Sequence, residues 1–150
     1  MRYFLLCLIK CLFFNGICGH DFIHCSTNNL LDITNINLNP DPPIINSNLT
    51  ILVNGKSNKE INSMNGEIII KVLGIPLLEE NIDLCTYVNC PITENEVVYF
   101  NITQTIPSLI PSGTTLDVKL DVKTEDKIEV SCLELTFKAE KKIIISKYLK

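Results

Sequence analysis

From Thr115 to Lys123 the chain reads TLDVKLDVK, and Leu116, Val118, Leu120 and Val122 alternate strictly with Asp117, Lys119, Asp121 and Lys123. A period of two with one apolar and one charged face predicts a half-buried antiparallel strand. Leu49, Ile51 and Val53 alternate in the same way in NLTILVNG, which stops at an Asn-Gly turn signal. Ile68, Ile70 and Val72 do so in EIIIKVLG, where Ile69 adds an apolar residue to the other face and predicts cover on both sides. VVYFNITQ (97–104) is rich in aromatic and β-branched residues and reads as a further strand. Between Ile128 and Ala139 the phase switches: Ile128, Val130 and Cys132 share one face, Leu133, Leu135 and Phe137 the other. Such a switch predicts a bulge or a crossing between sheets.

Turn formers separate these runs: Pro40-Asp41-Pro42-Pro43, Pro76, Pro91, Pro107, Pro111-Ser112-Gly113 and the Asn-Gly pairs at 54 and 65. About seven short strands spaced in this way predict an all-β sandwich of two antiparallel sheets. No linker divides the chain, and it contains no repeat, heptad or glycine-rich phosphate loop.

The N-terminus changes the picture. MRYFLLCLIKCLFFNGICGHDF has a basic Arg2, an apolar stretch interrupted by Lys10, and small residues at Gly16, Cys18 and Gly19. That layout predicts a secretory signal peptide over residues 1–19. A membrane anchor is the competing reading, but the run falls short of the ~20 apolar residues a span needs. Residues 20–150 then form one domain, large enough for a real core. Removing 1–19 takes away Cys7, Cys11 and Cys18, so the seven cysteines become four: Cys25, Cys85, Cys90 and Cys132. An even count suits an oxidising compartment.

Loss of Arg2 and Lys10 also lowers the 13 basic residues to 11 against 17 acidic ones, a formal charge of −6. An acidic chain without Trp or a basic–aromatic patch excludes nucleic acid as a partner. Lys138, Lys141, Lys142, Lys147 and Lys150 oppose Glu140 alone in the last thirteen residues, a net +4. The basic C-terminal tail (140–150) is either solvated or a contact for anionic lipid headgroups, worth about 1 kcal/mol per Lys near such a surface.

The pair in CTYVNCPIT has three chemical readings. A structural zinc site wants four Cys/His ligands in two close pairs, and here there is one pair, with His20 and His24 far off at the mature N-terminus. Redox motifs use a shorter C-x-x-C at a helix start. A covalent clip needs only that TYVN turn, and sequence distance then leaves Cys25 to reach Cys132. Two disulfides are expected, Cys85–Cys90 and Cys25–Cys132. Loop entropy assigns roughly 2 kcal/mol to the six-residue ring and about 5 kcal/mol to the ring of 108.

No catalytic set is visible. Ser/His/Asp chemistry needs a histidine placed by the fold, and both histidines precede Cys25. His20, Asp21 and His24 are at most a weak metal cluster, and no metal or other cofactor is expected. Glu79-Glu80 and Glu125-Asp126 read as solvated turn charge. Asn48-Leu49-Thr50 and Asn101-Ile102-Thr103 are glycosylation acceptors in a secreted chain, and use of either requires an outward-facing Asn.

The order of features carries a resemblance. Cys25 is followed by ITNINLNPDPP (33–43), LTILVNG, EIIIKVLGIP, the pair in CTYVNCPI, TIPSLIPSG (105–113), the strand of alternating charge, and Cys132 in VSCLEL. Over roughly residues 25–139 this resembles the ML lipid-recognition domain family, which includes the Niemann–Pick type C cholesterol carrier and phosphatidylglycerol/phosphatidylinositol transfer proteins. The resemblance implies an immunoglobulin-like sandwich that holds one lipid between sheets splayed at one end, with the same two disulfides. A third disulfide of many members falls where this chain has Pro40-Asp41-Pro42, which implies a looser loop.

With that resemblance, Ile51, Val53, Ile68, Ile70, Val72, Val118, Leu120 and Val122 become candidate lipid-cavity residues. Each CH₂ moved from water into such a site gains about 0.8 kcal/mol. The alternative is that they pack on each other as an ordinary core, which would make a secreted recognition or adhesion module. Two apolar loops, GIPLL (74–78) and TIPSLIPSG, are expected at the cavity mouth, through Leu77, Leu78, Ile106, Leu109 and Ile110. Neither contains the aromatic residues common around the mouth of sterol carriers, which tilts the expected cargo toward phospholipid. The expected protein is a monomeric, non-enzymatic lipid carrier of the secretory or endolysosomal route, touching membranes transiently.

Overall fold

The structure is a computed structural model and describes residues 20–142. The expected signal peptide (1–19) and residues 143–150 of the basic tail lie outside the described residues. The described residues form eight strands: β1 (Phe22–His24), β2 (Leu31–Asn39), β3 (Asn48–Ser57), β4 (Asn65–Val72), β5 (Ile75–Asp83), β6 (Val97–Thr105), β7 (Thr114–Lys123) and β8 (Glu129–Ala139). A 3₁₀ turn, Leu84–Thr86, follows β5. The strands form two antiparallel sheets, one ordered β1-β8-β7-β4-β5 and the other β2-β3-β6. The all-β sandwich is therefore present, with eight strands among the described residues rather than about seven.

Alternation sets which residues meet between the sheets. Leu116, Val118 and Val122 of β7 are buried, while Asp117 is exposed and Asp121 pairs with Lys123 at 2.8 Å on the outer face. That pairing favours the Lys123 cation, first through its hydrogen bond to Asp121 and then through the charge, so its pKa is raised. Ile69 does not signal a second layer. It is half-buried between Glu79 of β5 and Lys119 of β7, whose long stems flank it on a solvated face.

A bulge accounts for Val130 in the phase switch of β8, while Cys132 stays in register opposite Asp121. Val122 faces Ser131 and Lys123 faces Glu129, which leaves Val130 as the extra residue. A second bulge explains why β2 lacks a clean alternation. Ile33 pairs with Gly55 and Asn35 with Asn54, so Thr34 is the extra residue and Leu31, Ile33, Ile36 and Leu38 all point inward.

The sheets are joined along one side and free of backbone pairing on the other. On the joined side, β2 lies against β8. There the His20 N–H donates to Ile36 O at 2.6 Å and the His24 Nε2 lies 3.1 Å from Ile33 O, linking the two sheets. Cys25 and Cys132 are disulfide-bonded on this side, with Cα atoms 5.0 Å apart, as the Cys25 N–H donates to Cys132 O. One end is closed by Met64, Ile61, Ile92 and Leu84, next to the Cys85–Cys90 disulfide. At the other end, residues 43–47 bind the chain at both Ile106 and Glu140 through backbone hydrogen bonds. On the free side the edge strands are β5 of one sheet and β6 of the other.

Candidate functional site

An apolar cavity of about 60 Å³ lies between the sheets. The five-stranded sheet contributes Ile68, Ile70, Leu78, Val118, Leu120, Leu133, Leu135 and Phe137 to its walls. From the smaller sheet and the loop after it come Ile36, Leu49, Ile51, Val53, Ile102, Gln104, Thr105 and Ile106. Six of the eight cavity candidates, Ile51, Val53, Ile68, Ile70, Val118 and Leu120, thus line one space. Val72 and Val122 do not, although both face inward. Val72 ends β4 opposite Leu116 and Ile75, past one end of the cavity. Val122, opposite Gly66 and Ser131, is packed into the core at the other end.

The five mouth candidates separate. Leu78 and Ile106 line the cavity, and Ile106 is buried. Ile110, only 3 % exposed, is core; a backbone turn in which its N–H donates to Pro107 O folds it under the loop. Leu109, one residue earlier, is 86 % exposed. Residues 75–78, expected as part of a loop, are strand instead. Pro76 fits because β5 is an edge, and Leu77 is the exposed extra residue of a bulge between Ile70–Leu78 and Lys71–Pro76.

Sequence reasoning missed the tip of the β4–β5 hairpin. Leu73 and Gly74 connect Val72 to Ile75 with φ of 51° and 79°. Positive φ at both turn residues is the two-residue geometry that favours Asn-Gly or Gly-Gly. A leucine there is in an unfavoured backbone region and is also 85 % exposed. Thr114, the first residue of β7, lies two positions beyond Leu116, the partner of Val72. The hairpin tip and the 106–113 loop therefore sit at the same end, presenting Leu73, Ile75 and Leu109.

Gln104 was also missed. In β6 the inward face runs Val98, Phe100, Ile102, Gln104, so the strand, identified by its aromatic and β-branched residues, carries a polar residue into an apolar face. Gln104 is half-buried opposite Leu49, and its carboxamide makes no side-chain hydrogen bond among the described residues. It can donate and accept at the cavity rim.

The charged groups are engaged elsewhere. The His20 Nε2 is 2.9 Å from Thr136 O, and the His24 ring lies between Ile33 O and Asn29, 3.7 Å from Asp32. No group of three His, Cys, Asp or Glu side chains suited to a metal occurs among the described residues. Glu96 accepts from the Thr93 N–H at 2.8 Å and from its Oγ1 at 2.9 Å, which holds its pKa below the usual glutamate value. That pair stabilises a turn and faces away from the cavity walls.

Comparison with known proteins fits this architecture. The ML domain model matches residues 19–139. A Dictyostelium discoideum protein named for phosphatidylglycerol/phosphatidylinositol transfer is 28 % identical over 141 residues, covering 91 % of this chain and 98 % of its own. The phosphatidylglycerol/phosphatidylinositol transfer protein of Aspergillus fumigatus is 28 % identical over 122 residues, covering 75 % of this chain and 67 % of its own. Among solved structures, a Niemann-Pick type C2 protein from the Japanese carpenter ant aligns with a TM-score of 0.66 and 14 % identity, over 80 % of this chain and 99 % of that one. Chicken MD-1 complexed with lipid IVa aligns at 0.56 and 15 % identity, over 79 % and 97 %. At such identities the two structures show a shared fold. The family match covers most of the chain, and the protein belongs to the ML domain family, whose members bind and transfer lipids and are not enzymes.

Proposed function

We propose that this protein is a lipid carrier of the secretory or endolysosomal route, holding one lipid between its sheets and passing it between membranes. The observation that carries the reading is the apolar cavity flanked by two free sheet edges, with Gln104 at its rim and three exposed leucine or isoleucine tips at one end. An acyl chain placed there leaves water at about 0.8 kcal/mol per CH₂. Gln104 would meet the ester or headgroup region. Leu73, Ile75 and Leu109 would enter the bilayer surface, and Lys141 and Lys142, beside Ser112 of the same end, would face anionic headgroups.

A phospholipid is favoured over a sterol. The mouth stretches contain no aromatic residue, and relatives covering most of the chain are named for phosphatidylglycerol/phosphatidylinositol transfer. Two disulfides suit an oxidising compartment. The second reading, a filled recognition module, draws on cavity size: 60 Å³ is small against the ~300–1,000 Å³ of sites that enclose drug-sized ligands. Carriage therefore requires the sheets to part along β5 and β6. Native mass spectrometry of the secreted protein, with extraction and identification of bound lipid, separates the readings. One bound phospholipid per chain is expected. A bare protein that takes up neither labelled phosphatidylinositol nor sterol would establish the filled module.

A further inference from the structure

The two outer faces of the sandwich differ in chemistry. The five-stranded sheet presents Glu67, Asp117, Lys119, Asp121, Lys123 and Glu134. Beyond the charged Asp32–Lys56–Val97 row at one end, the three-stranded sheet presents successive cross-strand rows without a charge: Asn35–Asn54–Tyr99, Asn37–Leu52–Asn101 and Asn39–Thr50–Thr103, ending at Asn48–Thr105. Tyr99 is 68 % exposed in this face. Both Asn-x-Thr acceptor sequences lie in it.

We propose that Asn48 and Asn101 both carry N-linked glycans, and that the pair covers the uncharged rows of this face. Three observations carry the inference. Both asparagines are exposed and point outward from their strands, and their acceptor threonines, Thr50 and Thr103, are direct cross-strand partners. The Thr105 Oγ1 donates to Asn48 Oδ1 at 3.0 Å, which orients the carboxamide and leaves Nδ2 for attachment. Finally, the apolar residues of the face lie within reach of Asn101, with Leu52 directly opposite and Tyr99 two residues back on the same strand. The two asparagines are four positions apart on neighbouring strands, about 14 Å, so two bulky hydrophilic chains would shield the rows between them. The Asn101 chain would also block the β6 edge from pairing with a second molecule.

The modification itself is a group transfer. The Asn Nδ2 bonds to the anomeric carbon of an oligosaccharide carried on a polyisoprenyl pyrophosphate. The carbon–oxygen bond to that pyrophosphate breaks, the lipid pyrophosphate leaves, and the amide gives up one proton.

The proposal extends the secretory reading, so its test supplies translocation independently. The full chain is produced in a eukaryotic secretory host behind a leader of proven function, recovered from the medium, and weighed intact before and after peptide-N-glycosidase. Two glycans are expected, one lost in Asn48→Gln or Thr50→Ala, one in Asn101→Gln or Thr103→Ala, and none lost in Thr103→Ser. Recovery of the unmodified polypeptide mass overturns the proposal, and a single glycan overturns it for the other site. Hydroxyl-radical labelling reads the cover: Tyr99 is expected to react several-fold less before deglycosylation than after, with Tyr87 on the Cys85–Cys90 turn unchanged. Equal labelling of Tyr99 in both forms overturns the covering role. Lipid uptake by the same preparations reports separately on the carrier reading.

Discussion

Leu73 is the residue where conformation and exposure disagree most. A left-handed backbone costs an L-residue roughly 1–2 kcal/mol, and an exposed leucine recovers nothing from the core. Leu73→Asn is therefore expected to raise the denaturation midpoint while slowing lipid transfer between vesicles. A variant that transfers as fast as the parent would remove Leu73 from the membrane-facing set. Leu109 and Ile110 make the complementary comparison. Leu109→Asp is expected to keep the fold, and loss of a leucine's burial, about 1.5–3 kcal/mol, would slow transfer by tenfold or more. Ile110→Asp places an unpaired charge in the core and is expected to abolish folding, seen as loss of the cooperative unfolding transition.

Glu96 supplies a residue-scale pH dependence. Its pKa is lowered in the folded chain, so the Thr93–Glu96 contact stabilises above the ordinary glutamate range and is lost as pH falls through the depressed value. Thr93→Ala removes the hydroxyl bond and keeps the larger backbone one. Its Glu96 titration, followed by carboxyl NMR shift, is expected to move up part of the way toward the usual value.

Among the elements, β3, β4 and β7 were legible from their alternation, β6 from its aromatic and β-branched residues and β8 through its switch of phase, whereas β1, β2 and β5 were not. β2 escaped because Thr34 shifts its phase and asparagines fill its outward positions, and β5 because Pro76 and the Leu77 bulge imitate a loop. The three-residue β1 is too short to show a period. At the site, the walls given by alternating β3, β4 and β7 were found. The ends of the cavity, which exclude Val72 and Val122, depend on where the other sheet crosses, and no single strand's pattern encodes that.

Disulfides belong to this scale as well. Cys25 follows β1 and Cys132 lies within β8, so their bond ties elements 107 positions apart, whereas Cys85–Cys90 spans only 5. Cys25→Ser/Cys132→Ser is expected to lose well over twice the stability lost in Cys85→Ser/Cys90→Ser, as roughly 5 kcal/mol against 2. Urea unfolding of the two double variants under identical conditions measures the ratio.

For the molecule as a whole, a narrow slot bounded by apolar walls makes affinity a function of chain length. Each methylene buried contributes about 0.8 kcal/mol, so a homologous series of lysophospholipids is expected to bind roughly fourfold tighter per added CH₂ until the slot is filled. Isothermal titration across the series should show a heat capacity of binding that grows more negative with length. A flat series would mean that the tail stays outside.

The unpaired edges β5 and β6 have a geometric consequence. No ladder hydrogen bond joins them, so parting them would sacrifice apolar contacts alone while the sheets swing about the β2–β8 side like the covers of a book held at its spine. Cargo arriving through that long slit would lie down sideways, and nothing would have to thread past the tips end first. A headgroup resting outside the slit would never pass a constriction, so its bulk would set neither the on-rate nor the release, and a bulky polar head would travel as readily as a small one.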